Sequence, residues 1–176
     1  DEGLSRAVQT IFKQLFDAGM IYQAHRLVNW SPVLETAVSD IEVVYKDVEG
    51  ELVSIRYGSL DDAEPHLIVA TTRVETMLGD VAIAVHPDDE RYQHLFGTTV
   101  TSPLYGVEVE VFPHPLAKPD KGSGIAMVCT FGDLNDVTWW RELQLPTRTL
   151  IGRDGRFAAE TPEWIAGGPG EELFAE

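Results

Sequence analysis

The chain has 176 residues, 44% hydrophobic and 24% charged, which suits one compact domain with a single core. Its formal net charge of −16 repels phosphate backbones, which excludes a free-standing, nonspecific nucleic-acid-binding module. No apolar run reaches the roughly 18–20 residues of a membrane span, and a single cysteine excludes an internal disulfide framework and fits a reducing cytoplasm.

Apolar side chains at Leu4, Val8, Ile11, Phe12, Leu15 and Phe16 recur at helical spacing and predict an amphipathic helix over 4–18. Ser5 is a candidate cap and Gly19 a stop signal. Residues 29–32 (Asn-Trp-Ser-Pro) break the pattern and read as a connector. From residue 41 the period becomes two, and runs at 41–45 and 52–57 flank Glu49-Gly50 as a candidate hairpin. Further strands are expected at 67–71, 81–85, 107–112, 125–129 and 147–151, with helices at 88–96 and 134–143 and a turn at Asp154-Gly155. Many short strands with few helices predict an α+β fold centred on a β-barrel, with the helices outside. The glycine-rich stretch 166–170 reads as a flexible exit linker. The start at Asp1 rather than Met adds the expectation of a fragment cut from a larger protein.

The most informative run is 122–136, a Gly-Ser-Gly turn, a short apolar strand and a loop that delivers Asp133 and Asp136. Three-residue spacing puts both acids on one face of a first helical turn. Helix starts also attract aspartate as a cap, so spacing alone leaves capping and ligand binding open. A second segment, 70–80, supplies Thr71, Thr72, Arg73 and Thr76 from another strand end. Threonines there satisfy local backbone groups or, alternatively, line a polar pocket that recognises a hydroxyl and a phosphate or ribose. The chain has no His-x-x-x-His or paired-Cys spacing, phosphate-binding loop or nucleophile elbow, and a metal site is not expected. Cys129 lies in an apolar strand and reads as an inert core thiol, and Trp139-Trp140 as one core and one surface ring.

Three segments together resemble the editing domain of valyl-tRNA synthetases, in that family's order and over most of the chain: 27–43, 70–92 and the 122–136 run. The resemblance implies a domain inserted in a class I synthetase core, with 1–26 as the helical segment before the insertion, 27–165 as the editing domain and 166–176 as the exit linker. It implies hydrolytic proofreading of threonyl-tRNA(Val). Asp136 then corresponds to the acid that anchors the substrate's α-ammonium group, and Asp133 to a second pocket acid. Arg73 and Thr76 match substrate-contacting positions, and Thr71, Thr72, Lys121 and Met127 complete the candidate substrate-binding set. The partners implied are the acceptor end of tRNA(Val) carrying threonine and the rest of the synthetase in cis. The isolated domain is expected to be a cytoplasmic monomer that needs no cofactor, ATP being used elsewhere in the full-length enzyme.

The chain departs from the family pattern at several positions. Val74 replaces a proline, Met127 a lysine, Cys129 a threonine, Lys121 an aromatic residue, and Thr130-Phe131-Gly132 a Pro-Ala-His. Methionine cannot donate a hydrogen bond as lysine does, and Lys121 is the candidate replacement cation. These departures keep open a non-catalytic tRNA-docking insert, and an isoleucyl-type editing preference is a further alternative.

Overall fold

The computed structural model describes residues 1–24, 26–59 and 66–175. Its centre is a four-stranded sheet in the order β6-β7-β5-β8, built from β5 (Ala82–Val85), β6 (Thr99–Thr101), β7 (Glu108–Pro113) and β8 (Ile125–Val128). β5 runs parallel to β7 and antiparallel to β8, with Ile83 opposite Val111 and Met127. All four residues of β5 are buried, as expected of an uninterrupted apolar run with both faces covered. Alternation then splits them between two cores. Ile83 and Val85 join Tyr57, Leu67, Val69, Val109, Val111 and Ile125 on one side. Ala82 and Ala84 join Phe112, Val128 and Trp139 on the other, beneath α2 (Leu134–Leu143).

The first core is closed over by a ribbon of β3 (Val53–Gly58) and β4 (His66–Thr71), paired antiparallel with Tyr57 opposite Leu67. β4 lies alongside β8, and β3 alongside β6. No ladder joins the ribbon to the sheet among the described residues, so the fold is α+β with small separate sheets and not the closed barrel expected. The expected hairpin about Glu49-Gly50 is also replaced, because β3 takes β4 as its partner. Residues 40–42 form a single 3-10 turn, in which Glu42 accepts the Ser39 amide at 2.8 Å and Asp40 accepts the Asn29 side chain at 2.7 Å. These side-chain bonds compete with extended structure at the start of the 41–45 run.

Other boundaries shift for similar reasons. Residues expected to be a connector form β1 (Asn29–Ser31), paired with β2 (Thr36–Val38). The expected helix at 88–96 keeps only a 3-10 turn at Gln93–Leu95, because Asp89 captures the Arg91 amide at 3.2 Å and its guanidinium at 2.6 and 2.8 Å. The 147–151 segment is not a strand. The Arg148 amide donates to the Thr130 hydroxyl at 3.2 Å, and a single bridge joins Ile151 to Phe157. The N-terminal helix α1 (Glu2–Asp17) is capped by Asp1 rather than Ser5, and none of its residues is buried.

The tail expected to be flexible is folded against the body. Ile165 is buried with Leu78, Val107 and Leu150, and α3 (Glu171–Ala175) brings Phe174 within 6.2 Å of Phe157.

Candidate functional site

The C-terminal ends of β4 and β8 and the start of α2 converge on a cavity of about 460 Å³. Its walls include all eight site residues expected from the sequence: Thr71, Thr72, Arg73, Thr76, Lys121, Met127, Asp133 and Asp136. Thr71 ends β4, Arg73 precedes the 3-10 turn Val74–Gly79 as its cap residue, and Thr76 lies within that turn. Met127 lies on β8. Lys121 comes from a turn closed by Gly122 and Gly124, both at positive φ. A side chain at Gly122 would press on the Ala70 Cβ at 3.2 Å, so glycine lets this turn approach β4 closely.

The acid pair forms the helix cap that one of its two readings expects. Asp133 is the helix cap, its Oδ1 accepting the Asn135 and Asp136 amides at 2.7 and 3.0 Å. Asp136 Oδ2 returns the bond by accepting the Asp133 amide at 2.8 Å, the reciprocal arrangement of a capping box. Capping thus uses one oxygen of Asp136. Its other oxygen, Oδ1, is buried and meets no donor among the described residues. Burial first, then the charge of Asp133, pushes the Asp136 carboxyl up to about 6, while a Cys129 backbone bond and the Arg73 charge pull the other way. A buried carboxylate with an unfilled acceptor on a cavity wall lacks one cationic or hydrogen-bonding partner.

The threonine-rich side is partly self-satisfied. The Thr71 hydroxyl accepts the Arg73 amide at 3.0 Å, and the Thr76 hydroxyl donates to the Arg73 carbonyl at 2.7 Å. Arg73 is exposed and loosely paired with Glu75 at 3.5 Å. The Met127 sulfur is engaged from behind by the Tyr57 hydroxyl at 3.2 Å, so this side chain is held as part of the wall. Among the described residues, no group of three or more His, Cys, Asp or Glu could hold a metal ion.

Against known proteins, the family profile described as tRNA synthetases class I (I, L, M and V) matches residues 1–166. The chain belongs to the class I tRNA synthetases. Within that class it is similar to valine--tRNA ligases. That of Corynebacterium efficiens is 64% identical over 159 residues, covering 90% of this chain and 18% of the relative. That of Corynebacterium diphtheriae is 70% identical over 159 residues, covering 90% and 17%. The chain therefore spans less than a fifth of the length of these relatives. Agrobacterium radiobacter LeuRS, solved in a ternary complex with tRNA and LeuAMS, matches at a TM-score of 0.47 and 19% identity over 80% of this chain and 27% of that one.

This class I synthetase segment also holds two polar residues that sequence reasoning did not single out, Tyr57 and Asp80. Asp80 is 1% exposed and sits immediately behind the cavity wall. It accepts hydrogen bonds from the Tyr57 hydroxyl and, at 2.6 Å, from the Cys129 thiol. Burial drives its carboxyl up to about 7, against the pull of those two donors. The signal for Asp80 was present: an acid between Gly79 and the apolar run 81–85 is a polar group in a buried context. Cys129 is protonated, its thiol pushed far up by burial and then by the Asp80 charge. It serves as a hydrogen-bond donor rather than a nucleophile.

Proposed function

We propose that this chain is the hydrolytic editing domain of a valyl-type synthetase and deacylates threonyl-tRNA(Val). The observation that carries the reading is Asp136: a buried acid on the wall of a cavity lined by both polar and apolar side chains, with one oxygen fixed by the helix start and the other unfilled. An α-ammonium group supplies the missing partner, a charge-assisted bond that fixes the neighbouring carbonyl. Water then adds to the ester carbonyl, the bond to the ribose oxygen of the terminal adenosine breaks, and threonine leaves with that ribose hydroxyl restored. An activated ester needs no protein nucleophile, so positioning and electrostatics supply the acceleration. No cofactor enters this scheme.

Selectivity follows from the hydroxyl by which threonine differs from the nearly isosteric valine. An apolar synthetic pocket rejects an added hydroxyl by only ~10²-fold, a limit for which valyl-tRNA synthetase itself is the standard example. A second, polar pocket reverses the preference. Thr72, Thr76, Arg73 and Asp133 line the cavity and offer donors and acceptors that valine's methyl would leave unpaired. Each such unpaired group costs ~1–3 kcal/mol. Lys121 lines the same cavity and is the cation available where Met127 provides none. The tRNA acceptor end and the rest of a synthetase are the partners this reading requires, in the cytoplasm. With a charge of −16, the chain depends on those other parts for most of the attraction to tRNA.

The test is a deacylation assay with matched threonyl- and valyl-tRNA(Val). Threonyl ester is hydrolysed faster, and Asp136→Ala abolishes that hydrolysis while circular dichroism is unchanged. An Asp136→Ala variant that keeps its activity removes the assignment. A wild-type protein that binds tRNA without hydrolysing either ester leaves the docking insert as the function.

A further inference from the structure

Three elements meet behind the cavity wall at one carboxylate that the proposed hydrolysis does not use. Tyr57 reaches it from β3, Cys129 from the end of β8, and Arg148 donates to its backbone carbonyl from the 147–151 segment. The carboxylate is Asp80, and its two oxygens are divided: Oδ2 takes the Tyr57 hydroxyl and Oδ1 the Cys129 thiol. Both donors bear on the wall. Cys129 lines the cavity, and the Tyr57 hydroxyl also touches the sulfur of Met127, which lines it too. Cys129 lines the same cavity as Asp136, so this one residue stands between the ligand space and an acid behind the wall.

We propose that Asp80 is a positioning residue of the site: by gripping the Cys129 thiol and the Tyr57 hydroxyl, it holds in place the part of the cavity wall that Cys129 and Met127 form opposite the ligand. The proposal rests on the deacylase reading for its kinetic consequence, but the linkage itself is independent of any substrate. An acid 1% exposed, with a free-energy cost of burial and no cation on its carboxylate oxygens, is a poor choice for filling a core. Apolar residues of the same size pack more cheaply there. What an acid provides and a leucine does not is two directed acceptors, which fix a thiol and a phenol from two different strands. The charges facing Asp80 are those of Asp136 and Arg148, and the Cys129 and Tyr57 protons complete its surroundings.

Two measurements test this, one free of activity. The chain has a single cysteine, so its infrared S–H band belongs to Cys129 alone. The band is expected at lower frequency than a free thiol, returning toward the free value in Asp80→Asn. For the hydrolysis, Cys129→Ala should lower kcat for threonyl-tRNA roughly ten-fold or more by loss of a charge-assisted bond. Cys129→Ser keeps a donor and should recover most of that loss, which a merely space-filling cysteine would not predict. A free-thiol S–H band in the wild type overturns the proposal, as does a Cys129→Ser variant that recovers nothing of the Cys129→Ala loss. A wild type without deacylase activity, but with the shifted S–H band and its return in Asp80→Asn, overturns the function proposed above and leaves the grip on the wall standing.

Discussion

Asp136 owes its usefulness to a division of labour between its two oxygens. Oδ2 is spent on the helix start, and Oδ1, which meets no donor among the described residues, is the oxygen that takes the ammonium group in the proposed reaction. Holding a cation requires the ionised form, and burial together with Asp133 has raised this carboxyl to about 6. The acid form therefore dominates below that pH, and the deacylation rate is expected to rise through pH about 6 to a plateau. Asp133→Asn retains a capping side chain but removes the charge that opposes ionisation of Asp136. Its acid limb should move to lower pH in a kcat/KM profile. An unmoved limb would show that the group being titrated is not Asp136.

At the scale of elements, short strands and turns here are decided by what competes for the backbone. The helix 134–143 was legible because Asp133 and an acid at N3 give the start signal of a capping box. The strands β4, β5, β7 and β8 were legible from period-two or continuous apolar runs, to within a residue or so at each end. Residues 88–96 do not form the expected helix because Asp89 turns its carboxylate to Arg91 instead of to a helix start. In the structure it clamps Arg91, whose guanidinium also reaches the Pro119 carbonyl at 3.1 Å. The tail was misread from its glycines. Gly170 is there because the backbone passes over Tyr105, where an added Cβ would lie 2.5 Å from its Cα. Gly170→Ala should therefore lower stability by ~1–3 kcal/mol, measured by chemical or thermal unfolding. A free linker would give no change.

Over the whole molecule, two buried acids with raised carboxyls shape the response to pH. Between about pH 4 and 7 the folded protein holds more protons at Asp80 and Asp136 than the unfolded chain, whose carboxyls titrate near the ordinary 3.8. Their contribution is fully present below that value and is lost as pH rises through about 6 and 7. Asp89 acts in the opposite sense. Its carboxyl is lowered by the Arg91 bonds, so its contribution is present at neutral pH and lost in acid. Asp80→Asn should thus gain stability relative to wild type as pH rises from about 4 to 7, in urea unfolding at a series of pH values. A constant difference would mean that Asp80 ionises in the fold as freely as in water.

The sequence by itself determined the family, the identity of the cavity-lining acids and hydroxyls, and the elements whose local signals agree. Those are short-range properties: residue type, spacing and period, each readable from a few neighbours. Only the tertiary structure decided that β3 pairs with β4 rather than with the preceding run, that the tail packs on Tyr105, and that Asp80 lies against Cys129 and Tyr57. Asp80 is 23 residues from Tyr57 and 49 from Cys129 along the chain. Contacts over such separations arise from burial and from competition among partners, and no local pattern in a single sequence encodes which partner wins.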